Sequence, residues 1–406
     1  MKNQTIKALW VAVAACAIGT ASLAQVKVTK NISDVSTLDL SGFRSPADGA
    51  GRLFRQTVES DLNRSGWFSL LVSGRAEYSV VGDIAADRAG VAVKTEAYHV
   101  LSRERLLGKS YTAGADDIRK LAHKVADDII FALTGKQGMS GTRIVLIGKR
   151  TGNKEVYVCD ADGANLWQVT NDKSVSLAPK WGPDGATLVY TSYRAQFPDV
   201  LLINLATRKR SILSDMPGLN TGGALSPDGR ETALTLSKDG QPNLYVKEIA
   251  SGRLTRLTTT KRGADAAPCW SPDGKQIVFV SDRSGSPQLY IIGRNGGEPR
   301  RITSRGSQNV DPDWGPNGFI AYCSLVGKQF QIFVLNPSTL DISQVSKGDA
   351  EYEDPSWAPD GRHLVCARTQ SYRSRIFIID TLTGTSISLL PETEQGDWVS
   401  PDWSKK

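Results

Sequence analysis

The sequence predicts an α/β N-terminal domain followed by an all-β domain, a six-bladed β-propeller closed by its C-terminal strand. Three observations carry the prediction. A Pro-Asp-Gly turn recurs at a nearly fixed interval, a Pro-x-Trp frame stands just ahead of it, and the chain end restarts the unit without finishing it. A period near 44 residues with four strands per unit is the mark of a propeller blade.

The turn appears at Gly182-Pro183-Asp184-Gly185, Ser226-Pro227-Asp228-Gly229, Ser271-Pro272-Asp273-Gly274, Gly315-Pro316-Asn317-Gly318 and Ala358-Pro359-Asp360-Gly361, its prolines 44, 45, 44 and 43 residues apart. The frame precedes it at Pro179/Trp181, Pro268/Trp270, Pro312/Trp314 and Pro355/Trp357; in the second unit Gly223-Ala224-Leu225 holds the same place. After each turn come an apolar run, a polar loop, a second run such as Leu289-Tyr290-Ile291, and a last short strand ending in Ser or Thr, as at Thr258, Thr303 and Ser346. Runs apolar on both faces suit sheets sandwiched between neighbours. The end, Pro401-Asp402-Trp403-Ser404, starts a unit, whereas residues 141–170 form a unit without its start. The propeller therefore spans 141–406, with one blade split between 141–170 and 399–404, which removes two exposed sheet edges.

Ahead of the repeats, residues 1–24 read as a secretory signal peptide: Lys2 and Lys7, an apolar run over 8–20, and a small-residue cleavage site at Ser22-Leu23-Ala24. Cys16 offers a second processing site at which lipidation would anchor the protein; the apolar run continuing past it favours simple cleavage. The formal charge then falls from +7 to +5 as both lysines leave. Residues 25–136 form the predicted α/β domain. Leu53, Phe54, Val58 and Leu62 stripe one helix ending at Gly66, and strand-like runs follow over 68–72, 78–84 and 91–101. Ile118, Leu121, Ala122, Val125, Ala126, Ile129, Ile130 and Leu133 stripe a second helix that stops at Gly135. The linker over 135–141 is short, which restricts the relative orientation of the two domains.

The chemistry-bearing residues point away from catalysis. The three histidines, His99, His123 and His363, lie in different elements; His123 suits a helix-surface or interdomain role. Neither a nucleophile elbow, nor a zinc-protease helix, nor a phosphate loop is present. Asp160-Ala161-Asp162-Gly163 resembles the start of a calcium loop but lacks the later ligands, so it reads as a hairpin turn. The acids of the Pro-Asp-Gly turns read the same way, spread around a ring where they cannot act as a pair. Arg208-Lys209-Arg210 and Arg300-Arg301 read as solvated outer edges rather than a nucleic-acid surface. Cys159, Cys269, Cys323 and Cys366 read as strand thiols. No cofactor or metal is expected, and a monomer is.

The export signal, the helix with its linker over 118–138, Thr142-Arg143-Ile144 and the Pro-x-Trp-Ser-Pro-Asp-Gly blades together resemble the TolB family, the periplasmic propellers of the Tol–Pal envelope system. The resemblance covers nearly all of the mature chain. It implies a non-enzymatic periplasmic component that binds a Pal-like peptidoglycan-associated lipoprotein over the channel mouth. It also implies contact with TolA through the mature N-terminal segment, and a role in outer-membrane integrity and constriction at division. Here the N-terminus departs from the family pattern: Thr37-Leu38-Asp39-Leu40-Ser41-Gly42-Phe43 stands where a proline-containing strand is usual, and 25–33 is the counterpart of the TolA-binding segment. Topology gathers the loops that cross from one blade to the next at a single mouth. The expected partner-binding residues there are Ser176, Asn220, Asp265, Gln308, Asn309, Glu351, Tyr352 and Trp398, with Tyr352 and Trp398 as aromatic anchors. Alternative readings are a propeller hydrolase or lyase with a channel site, and a module binding cell-wall polymer.

Overall fold

The computed structural model describes residues 35–45, 49–71, 75–86, 90–260 and 262–405. The expected signal peptide, Cys16 and the segment 25–33 lie outside them. Residues Val35–Lys406 form one compact unit.

Its first part is a sheet covered by two helices. In chain order the elements are β1 (Ser36–Asp39), β2 (Phe43–Arg44), α1 (Gly49–Arg64), β3 (Phe68–Leu71), β4 (Tyr78–Ala86), β5 (Gly90–His99), β6 (Glu104–Gly114) and α2 (Ile118–Thr134). The strand order is β3-β1-β4-β5-β6, with β2 beside β4. Phe54, Val58 and Leu62 of α1 and Val125, Ala126 and Ile129 of α2 share one buried cluster with Leu38, Phe43 and Val80 of the sheet. Gly135 ends α2 in the left-handed conformation, φ 68°, its N–H returning to the Phe131 carbonyl at 2.8 Å. The strand β6 escapes the sequence pattern: it buries Leu107 and Tyr111, four residues apart, with mostly exposed polar side chains between them. Two buried positions at that spacing give no alternating signal.

The second part is the expected ring of six four-stranded blades, closed by the C-terminal strand. The innermost strands are Ser176–Trp181, Asn220–Leu225, Asp265–Trp270, Asn309–Trp314, Glu351–Trp357 and Trp398–Trp403. The last pairs antiparallel with Arg143–Gly148, placing Trp398 opposite Gly148 and Trp403 opposite Ile144. Ser404 and Arg143 exchange hydrogen bonds, each 2.9 Å. Trp403 is fully buried and donates its indole N–H to Thr142 Oγ1 at 2.8 Å. The Pro-x-Trp tryptophans act between blades as well as within them: Trp270 donates to the Ala224 carbonyl at 2.9 Å and Trp181 to that of Asp402 at 3.0 Å.

The Pro-Asp-Gly acids do the turn work expected of them. Asp273 accepts from Ser271 Oγ at 2.7 Å and from the Lys275 N–H at 3.1 Å, while Gly274 takes φ 68°. Neighbouring turns touch around the ring, as where Asn317 Nδ2 donates to the Gly361 carbonyl at 2.7 Å.

The N-terminal part packs on this turn face, at the split blade and the blade before it. Arg119 of α2 pairs with Asp162 in a hairpin of the split blade. Arg362, itself paired with Asp380 at 2.6 Å, lies 4.5 Å above the Trp67 ring. The linker is pinned too, because the Asp127 carboxylate accepts from the Ser140 and Gly141 N–H groups at 2.9 Å.

Candidate partner-binding face

Each innermost strand carries one bulge, and the bulges build the channel. Ala178, Gly222, Ala267, Asp311, Asp354 and Ser400 all sit in the left-handed region, with φ between 47° and 68°. Each falls where the strand register shifts. Five of them precede a proline, whose ring disfavours ordinary helical torsions for the residue before it. In the second blade the same backbone is made by Gly222-Gly223, and a Cβ on Gly223 would come 2.4 Å from Val189 Cγ1. That contact explains why this unit keeps the frame's size and loses its residues.

Inside the ring the bulges line a cavity of about 260 Å³. Asp311 in its lining and Glu353, next in sequence to the lining residue Asp354, are perturbed. Burial, followed by the charges of Asp354 and Glu353, pushes Asp311 up to about 7. Burial, followed by the charges of Glu351 and Asp354, brings Glu353 to about 7. Toward the turn face the lining changes to paired charges: Lys180 Nζ lies 2.9 Å from Asp402 Oδ1, and Asp402 Oδ2 accepts the Trp181 N–H at 2.8 Å. Gln137 of the linker borders this second cavity.

The mouth opposite the N-terminal part is formed by the crossing loops and by the hairpins joining the second and third strands. All eight expected partner-binding residues lie at this end, but their side chains do different work. Ser176, Asn220, Asp265, Asn309, Tyr352 and Trp398 are buried. Asn220 accepts from Ser214 Oγ at 2.6 Å and donates to the Met216 carbonyl, folding its loop around itself. Asp265 accepts from Thr260 Oγ1 at 2.6 Å and pairs with Arg283 at 2.8 Å. Asn309 donates to Gln288 Oε1 and to the Arg305 carbonyl, both at 2.8 Å. These three residues clip loops into place.

The two expected aromatic anchors are corrected by their burial. Trp398 is 0% exposed, stacked edge-on against Tyr157 with ring centres 5.1 Å apart; a Cβ on its neighbour Gly148 would meet the indole at 2.3 Å. Tyr352 belongs to the core between two blades. Gln308 is exposed and Glu351 half-buried, so these two offer side chains to a partner.

Other residues at this mouth went unremarked in the sequence. Tyr372 is fully exposed (100%) at a hairpin tip and Phe197 is 71% exposed at another; Val326 is exposed at a third and Val175 at a crossing loop. The repeated terminal Ser or Thr of each outermost strand also has a purpose. Thr258 Oγ1 accepts the Leu244 N–H at 3.0 Å and Thr303 Oγ1 donates to Gln288 Oε1 at 2.9 Å, with Ser346 and Gln331 repeating the pattern at 2.8 Å. In these blades a buried polar residue near the start of the third strand therefore fixes the point from which the crossing loop departs.

Away from this face, His123 is buried between the two parts of the molecule. Its Nδ1 lies 2.6 Å from Asp61 Oδ2 and its Nε2 3.9 Å from Asp162 Oδ2. Burial pulls its pKa down, but the hydrogen bond and charge of Asp61, with the charge of Asp162, outweigh it and hold the imidazole above its ordinary value. His123, Asp160 and Asp162 come close enough to suggest metal ligands. However, Arg119 occupies Asp162, and Asn165 Nδ2 donates to Asp160 Oδ2 at 2.7 Å. Asp162 is thus committed to joining the two parts and Asp160 to its own hairpin. The basic run at 208–210 is likewise engaged rather than merely solvated, with Arg208 stacked 4.5 Å over Trp167 and Arg210 paired with Asp172 at 2.7 Å.

Fold and face together define a six-bladed propeller with an α/β domain on one face and a channel mouth on the other. A model of the TolB β-propeller domain matches residues 131–406, and the chain belongs to that family. A TolB homolog of Chlorobium luteolum is 33% identical over 204 residues, 50% of this chain and 45% of that protein. The homolog of Chlorobaculum tepidum is 36% identical over 243 residues, 54% of this chain and 56% of that protein. The chain thus spans about half the length of the curated relatives it matches. The crystal structure of TolB from Acinetobacter baumannii superposes with a TM-score of 0.80 at 26% identity, covering 92% of this chain and 97% of that one.

Proposed function

We propose that the protein is a non-enzymatic periplasmic docking component of a Tol–Pal system. On this reading it binds a Pal-like lipoprotein at the crossing-loop mouth and TolA through its mature N-terminal segment. It thereby helps keep the outer membrane attached and supports envelope constriction at division. The observation that carries the reading is the division of labour between the two ends of the ring. The turn face carries the protein's own N-terminal part at the split blade and the blade before it, whereas the crossing-loop mouth presents Tyr372 at 100% and Phe197 at 71% exposure. Exposed aromatics grouped on one face suit a protein interface.

Isothermal titration of the full chain with the soluble domain of a Pal-like lipoprotein tests this. Saturable binding that Tyr372→Ala and Phe197→Ala together weaken by roughly tenfold or more supports it. Absence of binding, or binding indifferent to both substitutions and to Gln308→Ala, overturns it.

A further inference from the structure

The blade made of residues 351–388 carries three arginines on one rim, none of which pairs with a carboxylate among the described residues. Its second and third strands are His363–Gln370 and Arg373–Asp380, and their register sets Arg368 directly opposite Arg375, with Gln370 opposite Arg373. Like charges directly opposed across a sheet are destabilising. Among the described residues none of the three is in an ion pair. Arg375 donates to the main-chain carbonyls of Glu394 at 2.5 Å and Glu392 at 3.3 Å. Arg368 donates to Gln370 Oε1 at 2.9 Å and lies 4.9 Å over the Phe377 ring; its Nε is buried without a partner. The Arg373 side chain is exposed and has no hydrogen-bond partner among the described residues. Together with Phe377, Ser388 and Glu392 they line a cleft of about 360 Å³.

The hairpin joining these two strands holds two side chains in the left-handed region. Ser371 and Tyr372 both take positive φ, 51° and 61°, at a tip where Asn-Gly would sit without strain, and Tyr372 is fully exposed.

The geometry points to this rim as a recognition site for an acidic protein segment, its carboxylates taken by Arg368, Arg373 and Arg375 and its chain braced against Tyr372. Planar guanidinium forks match carboxylates in paired hydrogen bonds. They also match phosphate, but Phe377 in the lining and the fully exposed Tyr372 at the adjoining tip supply apolar surface suited to a peptide. The site lies on the mouth assigned above to a Pal-like partner and rests on that reading.

The test uses the full chain, Arg373→Gln and Tyr372→Ala, both at exposed positions whose loss spares the core. The probes are the Pal-like soluble domain, a short Asp/Glu-rich peptide and inorganic phosphate. Expected are a loss of roughly tenfold or more in affinity for the soluble domain in Arg373→Gln, and peptide binding that the same change abolishes. If the soluble domain binds both variants as it binds the parent, the inference fails and the docking reading stands. If it does not bind the parent, the docking reading fails, and the peptide decides the inference: binding lost in Arg373→Gln upholds it, and indifference to that change overturns it. Phosphate displacing the peptide at equal concentration also overturns it.

Discussion

The two ends of the propeller are built from the same six-fold backbone and have opposite fates. At the turn end, Pro-Asp-Gly hairpins repeat nearly unchanged, and at the split blade and the blade before it this face meets α2 and Trp67. At the crossing-loop end, buried residues such as Asn220, Asp265 and Asn309 fix where each loop leaves, and the tips beyond them differ blade by blade. The contrast teaches that repetition marks architecture, while departures from it, Tyr372 and Phe197 among them, mark the surface left free to vary.

Closing the ring is common to both ends, so breaking it has the largest effect. Removing residues 398–406 takes away the innermost strand of the split blade with two fully buried tryptophans. It should lower the thermal unfolding midpoint by more than about 10 °C or prevent folding; an unchanged midpoint contradicts the closure.

Next comes the turn end alone. His123→Gln leaves Asp61 buried without its cation and should cost roughly 3–5 kcal/mol by denaturant titration. The sign with pH is fixed: His123 is held above its ordinary value, so its contribution is complete below about pH 6.5. It fades as pH rises through the raised value. The gap between parent and variant should therefore narrow above neutrality.

The channel mouth responds in the other way to mutation. Burial pushes Asp311 up to about 7, above its unfolded value, so stability is lost as pH rises from about 4 to about 7 and levels off above that. Asp311→Asn should stabilise the protein at pH 8 and have little effect at pH 4, as read by thermal melts across that range. The smallest effect lies at the open tip. Replacing Ser371-Tyr372 by Asn-Gly relieves two left-handed side chains and should stabilise by about 0.5–1 kcal/mol while weakening partner binding.

Much of this architecture is legible in the sequence because a turn advertises itself: Pro presets φ, Asp bonds its own backbone and Gly takes positive φ, so period and closure could be read directly. The site is less legible for the same physical reason. Trp398 and Tyr352 stand in crossing regions where an aromatic suggests an anchor, yet opening an innermost strand turns them into the space between blades. Tyr372 follows no period, and only its coordinates reveal that it stands free. The strand β6 and the Arg368–Arg375 opposition depend on register, which no local pattern specifies.

The central claim is that a partner docks at the crossing-loop mouth and not at the turn face. Amide hydrogen exchange of the full chain, with and without a Pal-like soluble domain, tests it most directly. Protection is predicted in the crossing loops near Gln308 and Glu351 and in the hairpin at Tyr372, with the Pro-Asp-Gly turns unchanged. Protection confined to the turns, or to the N-terminal part that packs on that face, would contradict it.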